Sequence, residues 1–101
     1  MNFEIAPKEY EIQANWYEAR MYCFALDIDG KVGWRLPTKD ELNLIYLTKK
    51  CKSENDFEIW YYWSSTEIND NDAWAQGFYH GFHNYMNKSD GGGYVRAIRD
   101  R

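Results

Sequence analysis

GWRLPTKDEL, residues 33 to 42, sets a bulky aromatic, an arginine, a proline and a helix start within one short stretch. It is either a ligand-binding loop or a structural corner. Thr38 and Glu41 form the pattern T-x-x-E. In such a box the threonine hydroxyl accepts from a free amide at the helix start, and the glutamate reaches back to the cap amide. Pro37 keeps Leu36 extended, because the residue before proline avoids the helical region. The chain therefore arrives stretched and turns sharply into a helix whose Leu42, Ile45 and Tyr46 share an inner face. Trp34 and Leu36 anchor the approach in the core, while Arg35 satisfies buried carbonyls or pairs with an acid. The stretch reads as architecture.

Upstream, FEI at 3–5 fits a short strand, and Pro7 suits the first turn of a helix. That helix is expected to run to about Leu26. Trp16, Ala19, Cys23 and Leu26 follow helical spacing, with Tyr22 widening the stripe. On this stripe Cys23 reads as a small buried hydrophobe rather than a nucleophile. Asp29-Gly30 marks a turn.

Downstream, FEIWYYWSS from residue 57 is rich in strand formers, with Ser64, Ser65 and Thr66 closing it as a polar turn. EINDND is an acidic loop. AWAQGFYHGF from 73 reads as a strand, with Trp74 and Phe78 largely in the core. HNYMNKSDGGG is expected to be a long turn region. Its Gly91-Gly92-Gly93 is no phosphate loop, since neither a helix nor GK[ST] follows; it reads as a flexible turn. YVRAIR at 94–99 is a final strand with Val95 and Ala97 inward. Helices followed by strands predict a single α+β domain over residues 1–101, two helices against a small twisted antiparallel sheet.

Composition agrees with a folded chain: 45% hydrophobic residues, 19% aromatic, with five Trp and nine Tyr. Not all of these rings fit inside a domain of this size, so some belong on a surface. The net charge of -4 and the lack of a basic cluster argue against nucleic acid. Lys49-Lys50 sits late in the second helix, where cations suit the dipole. No apolar run is long enough to span a membrane. The start MNFEIAPKEY has no signal-peptide pattern, and Cys23 and Cys51 form no CxxC. The expectation is a cytoplasmic protein, or one carried on a phage virion.

WYEARMYCFAL, GWRLPTKDEL, YWSSTE, AWAQGF and YVRAIR occur in that order. Together they resemble the DUF1566 family, the Lcl C-terminal domain, over about residues 15 to 99. The resemblance implies a C-type lectin-like fold, distantly related to formylglycine-generating sulfatase-modifying enzymes and phage variable receptor-binding proteins. It implies paired terminal strands, so FEI should lie near YVRAIR, and a ligand face built from late strands and loops, here roughly 67 to 92. It carries over no catalytic residue: the oxidase relatives use a cysteine pair, whereas Cys23 and Cys51 fall on predicted helices.

Three candidate sites follow. Glu67, Asn69, Asp70, Asn71 and Asp72 offer the hard oxygen ligands that calcium prefers, but without EF-hand spacing, and a solvated acidic turn explains them equally well. His80 and His83 have no third zinc ligand or carboxylate base close in sequence. No resident cofactor is therefore expected. His80, Phe82, His83, Asn84, Tyr85 and Asn87 combine rings with adjustable polar groups, the chemistry of recognition surfaces. The leading expectation is a non-catalytic module that recognises a protein partner through residues 78–87. The alternatives are a calcium-assisted glycan binder and a structural subunit of an oligomer or of a phage or mobile-element assembly.

Overall fold

The computed structural model describes residues 1–51, without the side chain of Cys51, and 56–101. Lys52, next to the basic pair Lys49-Lys50, falls outside the described residues, as does any pairing of Cys51.

The first strand, β1, is Phe3–Ile5. A single 3-10 turn follows at Lys8–Tyr10, and then β2 at Ile12–Ala14. The first helix, α1, spans only Trp16–Ala25, so the expected start near Pro7 is corrected. The physical reason is a capping box about two turns inside the expected helix. Asn15 Oδ1 accepts from Glu18 N at 2.9 Å, and Glu18 Oε1 accepts from Asn15 N at 3.2 Å. The residues before it spend their backbone groups on a sheet instead. Trp16, Ala19 and Cys23 form the buried stripe of α1 as expected.

Strand β3, Trp34–Arg35, leads into helix α2, Lys39–Cys51. The corner between them forms as the residues dictate. Glu41 N donates to Thr38 Oγ1 at 3.2 Å, and Thr38 N donates to Glu41 Oε1 at 2.9 Å. Trp34, Leu36, Leu42, Ile45 and Tyr46 are buried. Arg35 makes a bidentate pair with Glu41, at 2.7 and 2.8 Å, and reaches Asp100 at 2.8 Å. The Arg35 guanidinium, set against the cost of partial burial, holds the Glu41 carboxyl below its ordinary range.

Strand β4 is Tyr61–Glu67. Ser64, Ser65 and Thr66 belong to it, which corrects the expected turn. Each has a partner that only an extended chain places. Ser64 Oγ donates to Trp74 O, Ser65 N donates to Pro37 O at 2.8 Å, and Thr66 Oγ1 accepts from Lys39 N at 2.9 Å. The last two bonds pin the 37–39 corner to the sheet.

Strand β5 is Asp72–Gly77, and β6, His83–Asn87, lies where a turn region was expected. Its outward polar residues hide the alternation, but all five pair with β5, from Asp72↔Asn87 to Gln76↔His83. The final segment is also two strands, β7 at Gly93–Val95 and β8 at Ile98–Asp100. Arg96 and Ala97, both buried, carry the chain from one sheet to the other.

The fold is α+β, with two helices and two sheets. The smaller sheet has the order β1-β8-β3, and the larger β2-β7-β4-β5-β6. Described pairings are antiparallel except β4 with β7. Phe3 pairs with Asp100 and Ile5 with Ile98, so FEI meets the C-terminal strand as expected. Alternation along β4 and β5 divides the core. Trp63, Ala73 and Ala75 join the α1 stripe and Trp34, while Tyr62, Gln76 and Phe78 turn to α2.

Candidate functional site: an aromatic rim and an edge strand

Four large apolar side chains gather where β4 begins and β5 ends. Phe78 N donates to Trp60 O at 3.0 Å, and Tyr79 N donates to Ile59 O at 2.9 Å. These bonds hold the 59–60 segment beside the turn after β5. Ile59, Trp60, Tyr79 and Phe82 are 67%, 57%, 76% and 70% exposed. With Tyr61, Gly77 and His80, the first three line an apolar hollow of about 240 Å³.

The turn is built by two glycines. Gly81 has φ +82°, and a methyl group there would also meet the Tyr46 ring at 2.4 Å. Gly77 lies under the His80 ring, whose edge would be 2.6 Å from an added Cβ. His80 stacks on Phe82 at 4.8 Å, and its Nδ1 accepts from Phe82 N at 3.0 Å. That bond assigns the proton to the other nitrogen and fixes the ring as part of the surface.

The sequence-predicted residues divide into three groups. His80 and Phe82 belong to the rim. Asn84, Tyr85 and Asn87 are exposed along β6, the sheet edge. His83 is half-buried beside the start of α2, and its Nε2 is buried without a hydrogen-bond partner. Burial, followed by the Lys39 charge, holds its imidazole below the ordinary 6.5. The sign follows directly: the unfolded chain takes up this proton at a higher pH than the folded one, so stability falls as pH drops below 6.5. Thermal melts between pH 7.5 and pH 5.5 should show a loss that His83→Gln flattens; equal slopes in both proteins would contradict the burial argument.

Trp74 departs from expectation. It shares a face with Tyr85, lies half-buried outside the α1 cluster, and carries the Lys39 ammonium 4.0 Å above its ring. Phe78 does pack against the Phe3, Ile45 and Ile98 cluster.

The acidic loop already holds a cation of its own. Lys88 is 3% exposed, and its Nζ donates to Glu67 Oε1 at 2.7 Å, Asn69 O at 2.8 Å and Asp70 O at 3.2 Å. The Trp16 ring lies 4.5 Å from the same ammonium. Asn69 Oδ1 is occupied by the amides of Asn71 and Asp72. Among the described residues no cluster of His, Cys, Asp or Glu is arranged to hold a metal. Lys88 thus engages three oxygens of the acidic loop. Lys88→Met should lower stability by about 2–3 kcal/mol, the scale of charge-assisted bonds lost inside the fold. A urea denaturation curve tests this, and a change below 0.5 kcal/mol, the ordinary scatter of surface substitutions, would show that the ammonium is not needed there.

Cys23 is buried, and burial pushes its thiol up to about 12.

A second surface was not foreseen. Phe24 and Met21 of α1 are 87% and 72% exposed. With Tyr17, Trp34 and Leu36 they line a groove of about 550 Å³, with Arg20 and Arg35 among its walls. The outer side of the 34–36 corner is thus one wall of the larger concavity. The signal was present in the sequence: Tyr17, Met21 and Phe24 repeat at helical spacing on the face opposite Ala19 and Cys23.

Residues 4–99 match the model of the Lcl C-terminal domain, and the chain belongs to that family. No curated protein matches it.

Proposed function

We propose that this member of the Lcl C-terminal domain family is a non-catalytic recognition module that binds a protein partner through its aromatic rim. The single observation that carries the reading is the exposure of Ile59, Trp60, Tyr79 and Phe82 in one place. Contiguous apolar surface of this kind marks interaction sites, and Trp and Tyr are the residues that most often dominate binding energy. His80, packed against Tyr79 and Phe82, supplies polar atoms at its border, as in a polar rim around an apolar centre. We propose a C-type lectin-like architecture for the scaffold. Its support is the closure of β1 on β8 and the two helices beside mostly antiparallel sheets. A setting in the cytoplasm or on a virion suits a buried, unpaired Cys23. Glycan binding through calcium is the weaker reading, because Lys88 engages the oxygen-rich loop.

The test is capture by chemical cross-linking from the native host. The baits are the wild-type chain, a rim variant (Trp60→Ser/Tyr79→Ser/Phe82→Ser) and a groove variant (Met21→Ser/Phe24→Ser), each checked for folding. A protein captured by the wild type and the groove variant, but lost with the rim variant, supports the reading. Loss only with the groove variant would move recognition to α1. Equal capture by all three would sink both surfaces.

A further inference from the structure

β6 is an outer edge of the five-stranded sheet, and its pairing with β5 runs unbroken over five positions. The bonds that flank the register, Gly77 N to Phe82 O at 3.0 Å and Lys88 N to Asn71 O at 2.8 Å, fix which residues face inward. By the alternation of an antiparallel ladder, 82, 84, 86 and 88 turn their backbone groups to β5. His83, Tyr85 and Asn87 therefore direct theirs away from the sheet. Among the described residues no strand pairs with that outer side. Sheet edges are normally blunted by charge, proline or a bulge. His83–Asn87 carries no acidic, lysine, arginine or proline residue and no bulge. The other edge strands, β1, β2 and β3, have three residues or fewer.

We propose that β6 pairs antiparallel with β6 of a second copy of this chain, about a two-fold axis through Tyr85. The register follows from the sequence HNYMN. With Tyr85 opposite the Tyr85 of the second copy, His83 falls opposite Asn87 and Asn84 opposite Met86. The three outward-directed residues then meet one another, as a hydrogen-bonded ladder requires. No like charges meet on the strand. The contact is isologous and closes, joining two five-stranded sheets into one. Tyr85, 65% exposed, would be covered at the centre, next to its cross-strand neighbour Trp74.

Two of the outward groups have local partners in the single chain. Asn84 Oδ1 accepts from Tyr85 N at 2.9 Å, and Asn87 O accepts from Asp90 N at 2.9 Å. The Asn84 side chain stands where the second copy's carbonyl would come. It must turn aside on pairing, so the dimer is concentration-dependent and Asn84 sets its strength.

This proposal rests on the reading of residues 78–87 as an interface, and it names a second copy as the occupant of the β6 edge. The experiment is sedimentation velocity over a range up to millimolar concentration. The samples are wild type, Asn84→Ala, Tyr85→Lys, Tyr85→Glu, and an equimolar mixture of the last two. The expected results are a wild-type dimer, tighter association for Asn84→Ala, and at least about tenfold weaker association for either charged variant, because like charges then lie directly opposite. The mixture should recover a dimer, since Lys then meets Glu. A wild type that stays monomeric throughout, or charged variants that associate as strongly as wild type, would overturn the pairing. A monomer that still captures its partner through Trp60 and Phe82 would sink the β6 dimer and leave the recognition reading standing. A dimer with no such capture would do the reverse.

Discussion

Replacing Arg96 with methionine is expected to cost about 3–5 kcal/mol, the scale of breaking a buried ionic network by removing one partner. Arg96 is 3% exposed and lies between the two sheets. Its Nε donates to Ala6 O at 2.7 Å, its Nη1 to Asp56 O at 2.9 Å, and its Nη2 to Asp56 Oδ2 at 2.8 Å. The guanidinium also stands 4.3 Å from the Phe57 ring and 3.5 Å from Glu11 Oε1. The Glu11 side chain is only 5% exposed and accepts from the Tyr62 hydroxyl. Methionine would fill much of the space but would leave two carbonyls without this donor and a buried carboxylate without this cation. Lysine should not restore stability, because one ammonium cannot reproduce the planar fork that spans Ala6 and Asp56. The check is a thermal melt, in which the midpoint should fall by more than about 12 °C for a domain of this size. A fall of a few degrees would mean that the network is not needed for the fold.

The second large effect concerns the glycine triplet. Gly93→Ala is expected to cost about 3 kcal/mol or more, whereas Gly91→Ala should stay within about 0.5 kcal/mol. A methyl group on Gly93 would sit 2.2 Å from Trp63 Nε1 and 2.7 Å from its Cδ1. Trp63 has no freedom to retreat. It is fully buried, and its indole N–H donates to Ala14 O at 2.8 Å, on the strand that pairs with Gly93. Nothing lies within 4 Å of the corresponding position on Gly91. Denaturation of the two variants side by side tests the contrast, and equal stability would show that the indole can shift.

These predictions mark where sequence reasoning stopped. The triplet looked like a flexible turn because glycine is the usual turn residue. What requires the last glycine is room for an indole thirty residues away, which no local pattern records. The 34–42 corner was legible because its signals are local: a proline, a T-x-x-E box and helical spacing in Leu42, Ile45 and Tyr46. The start of α1 was equally local, since Asn15 and Glu18 form an N-x-x-E box, but Pro7 offered a competing start. β6 was missed because an edge strand with a wet face shows little alternation. The pairing of Lys88 with the acidic loop was also out of reach, because it joins residues about twenty positions apart.

The candidate site was half visible. His80, Phe82, Asn84 and Tyr85 were found through their mixture of rings and amides. Ile59 and Trp60 read only as part of a run of strand formers from residue 57, and such a run carries no signal of which rings stay exposed. Backbone bonds to Phe78 and Tyr79 set both residues beside the turn after β5, where their side chains are exposed.

The most direct test of the central claim is the dissociation constant of the captured partner for wild type and for Trp60→Ala, Tyr79→Ala and Phe82→Ala separately, by titration calorimetry. The account predicts that at least one of the three weakens binding by about thirtyfold, the loss of roughly 2 kcal/mol that defines a dominant interface residue. All three variants binding within about threefold of wild type, while remaining folded, would contradict recognition through the aromatic rim.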